Sequence, residues 1–424
     1  MTSKPGQTEC FVYIALPGQA ELVTAGRFRL EIDHAGGAVG RFRYGRSYLA
    51  RPDSVPLDPV ELTLLPRTYT TARMKGVFGA LRDASPDYWG RRVIDRHART
   101  TALSEIDYLL HAPDDRAGAL AFGLGQQPPA PRRDFNKTLQ LERLQELADA
   151  IINEEAIPQS ASADQIDALL LVGTSMGGAR PKTVIEHDDA LWLAKFNHPE
   201  DRWNFARVEH AMLALGRECG LSTALSQVVD VAGRDVLLVR RFDREKTDAG
   251  YTRARMISGL TLLQCEDTLS SRERWSYPLL AEELRRVSAA AKHDAQELFR
   301  RMCFNAMISN TDDHPRNHAV IAKETAWRLS PAYDLTPATP VSIAHRDLAM
   351  ACGDDGRFAN ARNLLSQAPR FLLKPAEASA VLAAMQECVQ ARWYATARAC
   401  GVTETDCEKI SPAFLYDGFS HEEQ

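Results

Sequence analysis

The chain has 424 residues, of which 45% are hydrophobic and 25% charged, with a formal net charge of −5. That length predicts two or three domains. The balance makes no chain-wide case for binding nucleic acid or a membrane, although it is compatible with a local basic face. No run of eighteen apolar residues occurs, so no spanning helix is expected.

The N-terminus carries one Lys and an apolar stretch of only about seven residues, which predicts a strand rather than a signal peptide. Residues 9–66 read as a β-meander. CFVYIAL, RFRLEI, AVGRFRYG and VELTLL are short β-branched or aromatic runs separated by Gly, Pro and Asp. ASPDYWGRRVIDRHA then opens a helix, with Ser85 as N-cap and Pro86 in the first turn. The Pro-rich stretch Gly125–Asp134 is the clearest linker. Beyond it Leu141, Leu144, Leu147 and Ile151 recur at helical spacing.

Residues 168–242 alternate a Gly-containing turn, the strand LWLAKF, the helix NFARVEHAMLALGREC and the strand DVLLVRRF. The polar stretch DREKTDAGYTRARM (residues 243–256) reads as a flexible junction, and from about residue 257 the pattern is mainly helical. The expected class is α+β, in blocks 1–125, 134–250 and 251–424. Eight cysteines without any C-x-x-C fit neither a zinc spacing nor a disulfide framework. They are expected to be small core residues of a protein in a reducing cytoplasm.

Five pieces carry candidate chemistry. GTSMGGARPK (Gly173–Lys182) offers glycines whose amides can approach a phosphate, though it is not a Walker motif. Lys195 lies inside the apolar strand LWLAKF, where an ammonium wants an anion or must reach out to water. Glu209, fourteen positions on, falls in a helical pattern; alone it would be a solvated carboxylate. TDDHPRNHA (residues 311–319) admits two readings. Asp312, Asp313, His314 and His318 could gather around a transition metal. Alternatively Asp312 and Asn317 form the D-x-x-x-x-N spacing of a phosphotransferase loop, in which the Asp steers a hydroxyl and the Asn holds Mg²⁺. Pro315 argues against a helix presenting both histidines, and the Glu of an H-E-x-x-H site is missing. Finally RLSPAYDLTP places Asp334 seventeen residues after Asn317, as a second metal carboxylate would be. The linear order of these parts is that of phosphoryl transfer from ATP.

SMGGARPK, WLAKF, VRRFDR, NTDDHPRNH and SPAYD together resemble the HipA-type serine/threonine kinases, the toxin halves of HipA–HipB toxin–antitoxin pairs. VFGALRDASPDYWGRR and SEIDYLL…DDRAGALAFG resemble the small N-terminal domain of the long HipA proteins. The resemblance implies a bilobed protein-kinase-like fold, with a β-rich N-terminal subdomain and a mainly helical C-terminal lobe. It implies Asp312 as the catalytic residue and Asn317 and Asp334 as Mg²⁺ ligands. Contacts to ATP are implied for Ser175, Met176, Gly177, Gly178, Lys195 with Glu209, the hinge Val239, Arg240, Arg241 and Phe242, and His314. Ser175 would be the autophosphorylated serine, with Thr174 as a second hydroxyl beside it. The implied partners are a small helix-turn-helix antitoxin, operator DNA through it, and a translation component such as an aminoacyl-tRNA synthetase. A small-molecule kinase on the same fold and a non-catalytic regulator remain open.

Overall fold

The computed structural model describes residues 7–98, 103–112, 116–130, 135–153, 180–339 and 341–420. The chain divides into two compact units whose segments interleave. The first holds Met1–Pro199, Arg240–Ile257 and Ile321–Ala326; the second holds Glu200–Val239, Ser258–Val320 and Trp327–Gln424. Among the described residues no helix is long and apolar enough to cross a membrane.

The first unit begins with strands β1 (Glu9–Ala15), β2 (Leu22–Ile32), β3 (Ala38–Tyr44), β4 (Thr68–Thr71) and β5 (Leu120–Gly123), in the order β4-β3-β2-β1-β5. Every neighbouring pair is antiparallel. Period-two alternation sets its faces. Val12, Ile14, Phe28, Phe42 and Tyr44 are buried, whereas Arg27, Arg29, Arg41 and Arg43 are exposed.

Three expectations are corrected here. VELTLL is not a strand. The buried Asp58 carboxylate accepts from the backbone N–H groups of Val60, Glu61 and Leu62, winding the segment into a turn that competes with sheet pairing. The next helix runs over Tyr88–Ala98, and its cap is Asp87 rather than Ser85, because Asp87 accepts from the Gly90 N–H at 2.8 Å. The polar stretch after residue 243 is an ordered hairpin of two short antiparallel strands, Arg244–Thr247 and Gly250–Arg253.

The helix Leu141–Ile152 buries Leu141, Leu144, Leu147 and Ile151, as their spacing predicts. Still in the first unit, β6 (Asn136–Lys137) runs parallel to β7 (Lys182–His187), which pairs antiparallel with β8 (Ala190–Phe196). The second unit contributes the hairpin of β9 (Ser226–Val231) and β10, which runs Arg234–Arg240 and ends at the unit boundary. Its main helices are Phe205–Glu218, Tyr277–Val287, Ala291–Met307 and Pro375–Ala399. Asn204 caps the first of these by accepting from the Arg207 N–H. The α+β character with a β-rich start and a helical second half is therefore present.

Candidate active site

In the second unit the buried helix Ala291–Met307 delivers the chain into TDDHPRNHA. Ser309 then turns the backbone at φ 52°, and Pro315–Asn317 forms one 3-10 turn. Pro fits the start of such a turn, where its missing N–H is not needed.

The two adjacent aspartates have opposite fates. Asp313 is 1% exposed, and one carboxylate oxygen collects three donors: the Tyr277 hydroxyl, Asn305 Nδ2 at 2.7 Å and His318 Nε2 at 2.8 Å. The Tyr277 hydroxyl is pushed well above its ordinary value by burial and by the Asp313 charge, so it stays a donor. Asp312 is exposed, and among the described residues its carboxyl makes no hydrogen bond. Desolvation raises its carboxyl above the ordinary value; His314 draws it down, Asp334 and Asp313 push it up, and Arg272 draws it down. An unpaired carboxylate so surrounded is suited to accepting a proton.

The loop is held from several sides. Tyr333 donates to the Arg316 carbonyl at 2.8 Å, and the Gly259 N–H donates to the His318 carbonyl at 2.7 Å. A Cβ at residue 259 would lie 2.7 Å from the Pro315 carbonyl oxygen, so only glycine permits this approach. Asn305 passes the network on to Asn310, whose amide reaches the Asp334 carbonyl at 3.3 Å. Asp334 has φ 59°, a left-handed conformation that is uncommon outside glycine and that Asp adopts more readily than most residues. The preceding Ala332 is fastened through both its N–H and its carbonyl to Ser222 and Ala224.

Asn317 is 4% exposed; its Nδ2 donates to the Asp312 carbonyl at 3.2 Å, while its Oδ1 is buried and has no hydrogen-bond partner among the described residues. An orphaned amide oxygen typically costs about 1–3 kcal/mol. A hard cation shared with the Asp334 carboxylate would remove that cost, and the all-oxygen donor set suits Mg²⁺. The alternative transition-metal cluster does not form. Asp313 and His318 are spent on each other, and among the described residues no three His, Cys, Asp or Glu side chains gather to hold a metal.

In the first unit Lys195 lies half-buried on β8, directly opposite Lys182 on β7. Lys182 is 1% exposed and paired with Asp87, the cap of the helix Tyr88–Ala98. Of the hinge residues, Val239 is buried, Arg240 exposed and Phe242 half-buried. Arg241 is buried, and its guanidinium is committed to Asp243 at 2.8 Å and to the Arg116 carbonyl at 3.0 Å. In the second unit Glu209 is 1% exposed within its helix, far from the solvated carboxylate that its position alone suggests. His314 is half-buried, and among the described residues its Nδ1 has no partner. Thr174, Ser175, Met176, Gly177 and Gly178 lie outside the described residues.

Sequence reasoning missed Tyr277, Asn305 and Asn310, which position the loop. The only available signal was the repeated aspartate, which offers one carboxylate to hold the loop and one to work.

The HipA-like C-terminal domain matches residues 174–393, and the HipA N-terminal domain matches residues 24–123. The chain belongs to the HipA-like family. HipA of Shewanella oneidensis MR-1, solved with HipB and operator DNA, shares its fold at a TM-score of 0.65 and 15% identity, over 95% of this chain and 94% of that one. Two curated relatives are named "Putative kinase" and "Putative kinase Y4mE". The Haemophilus influenzae protein is 24% identical over 40% of this chain and 54% of its own length. The Sinorhizobium fredii protein is 27% identical over 33% of each. The chain thus spans about half the length of the first and a third of the second.

Proposed function

We propose that the chain is an ATP-dependent serine/threonine protein kinase and the toxin of a toxin–antitoxin pair. The observation that carries this reading is the division of labour at Asp312 and Asp313: one carboxylate fixes the loop, and its neighbour is left unpaired beside an orphaned Asn317 oxygen and Asp334.

Asp312 orients the acceptor hydroxyl and takes its proton as the oxygen attacks. Asn317 and Asp334 would hold a Mg²⁺ ion, and Lys195 would meet the nucleotide phosphates. When bound, Mg·ATP supplies the phosphoryl group and offsets the charge that develops on it. The backbone of Val239–Phe242 would meet adenine, a role that does not call on the Arg241 side chain, which is paired with Asp243. Ser175 is the self-inhibitory phosphorylation site: phosphate there adds about −1.5 to −2 charges beside those of ATP. Membership of the HipA-like family supports a small helix-turn-helix antitoxin, operator DNA through it, and a translation component as substrate.

The test is incubation of the purified chain with γ-labelled ATP, Mg²⁺ and cell lysate. Label should enter protein as phosphoserine or phosphothreonine and disappear with Asp312→Asn. Label confined to a small metabolite would make this a small-molecule kinase. No transfer from ATP by the wild-type chain would defeat the reading.

A further inference from the structure

The tetrad Gly-Arg-Phe-Arg occurs twice in the first sheet, at residues 26–29 and 40–43. Antiparallel pairing of β2 and β3 sets Arg27 opposite Arg43 and Arg29 opposite Arg41, with Phe28 opposite Phe42 on the buried side. Like charges directly opposite one another destabilise a sheet. Glu9 lies 2.9 Å from Arg29 and 3.7 Å from Arg27, and Glu31 lies 3.1 Å from Arg41, which offsets part of that repulsion. Arg43 has no carboxylate partner among the described residues, nor has Arg46 at the end of β3. The guanidiniums are presented to solvent: the Arg27, Arg29 and Arg41 side chains are each about half exposed. They line an open groove of about 1100 Å³ whose walls hold six arginines and a single glutamate, in a chain whose net charge is −5.

We infer that this face binds the phosphodiester backbone of duplex nucleic acid without reading its sequence. A local conflict without a folding benefit marks a surface kept for a ligand. The ligand must be a polyanion, and the planar guanidinium fork suits phosphate oxygens. An acidic protein partner is less well served. Stable protein interfaces rest on buried aromatic or aliphatic anchors, and the apolar groups at the open side of the groove are the half-buried Phe11 and Val23. Phe11 is already covered by the Arg27 guanidinium, 4.9 Å from its ring centre. Phe42, Tyr44 and Tyr48 are buried beneath the face, so no aromatic platform is open to stack the bases of a single strand. What remains is charge, which a duplex backbone satisfies by itself.

The experiment is fluorescence anisotropy of a labelled mixed-sequence duplex of about 25 base pairs, titrated with the full chain at several salt concentrations. Saturable binding is expected at low salt. The plot of log affinity against log salt should have a slope of about −3 to −4, as for about four phosphates neutralised. A second duplex of unrelated sequence should bind within about threefold. Arg43→Glu combined with Arg46→Glu should weaken binding by about tenfold or more and flatten the slope by about 2. Circular dichroism and melting should be unchanged, because neither arginine has an ion pair to lose. If the charge reversal perturbs the fold, the Gln pair at the same positions should give the same trend at smaller amplitude. The inference is overturned if saturable binding is absent at low salt, or if the reversed variant binds as the wild type does. Tighter binding of a single strand of equal length, or of poly-glutamate of equal charge, would overturn it as well.

Discussion

Residues 240–244 and 311–317 are both dense in charge, and the two segments spend that charge differently. In RRFDR the Asp243 carboxylate is saturated. It is 3% exposed, accepts from Arg241, Arg244 and the Gly118 N–H at 2.8 to 3.0 Å, and lies far below the ordinary carboxylate range; burial alone would raise it, but the two guanidiniums prevail. Arg241 and Arg244 are in turn bonded to the Arg116 carbonyl. In TDDHPRN one carboxylate is saturated in the same manner, yet among the described residues the carboxyl of Asp312 and the Oδ1 of Asn317 have no partner. Charge that is fully satisfied internally holds a fold together. Unsatisfied polar groups on a loop fixed from behind are available to a ligand.

The sharpest way to break this comparison is at Asp243. Asp243→Asn leaves two buried guanidiniums short of their counter-charge and should destabilise the first unit by about 3–5 kcal/mol. Because the folded-state pKa is depressed, the wild-type contribution is fully present above about pH 3.9, the unfolded value, and fades as the pH falls from there toward the folded value. The variant should lose that dependence. Denaturant melts across the acid range measure it, and a variant as stable as the wild type would show that the hub does not hold the fold.

At Asp312 the opposite pattern is expected. Asp312→Asn should reduce phosphoryl transfer about a hundredfold or more, equivalent to about 2.7 kcal/mol of barrier. Its melting should change by less than about 0.5 kcal/mol, as for an exposed group without partners. Asp313→Asn should combine both effects at smaller amplitude: about 1–3 kcal/mol of stability for the broken buried network, with transfer weakened through the misplaced loop. A fall in transfer without any loss of stability would assign Asp313 to chemistry rather than to positioning.

The smallest effect concerns pH. In the proposed role Asp312 must be ionised to take a proton, and its pKa is raised, so transfer should fail on the acid side at a pH above that of an ordinary aspartate, about 3.9. Arg272→Gln removes a cation that draws this pKa down, so the acid limb should move further up. An unmoved limb in that variant would show that another group controls it.

What the sequence by itself determined is local. Alternation in the two Gly-Arg-Phe-Arg tetrads sets which face of β2 and β3 is buried, and the leucine spacing of Leu141–Ile152 sets a helix, because both follow from the geometry of one element. The loop that carries Asp312 and Asn317 was legible for the same reason. Tertiary structure decided whatever depended on distant partners. VELTLL has strand composition, but Asp58 is buried and takes its amides. Glu209 has the neighbours of a surface residue and is buried. The stretch after residue 243 is as polar as a linker, yet it pairs as a hairpin beside a saturated aspartate. Asp312 and Asp313 are chemically identical neighbours, and only Tyr277, Asn305 and His318, brought in from other turns of the chain, bind one of them and, among the described residues, leave the other unbonded.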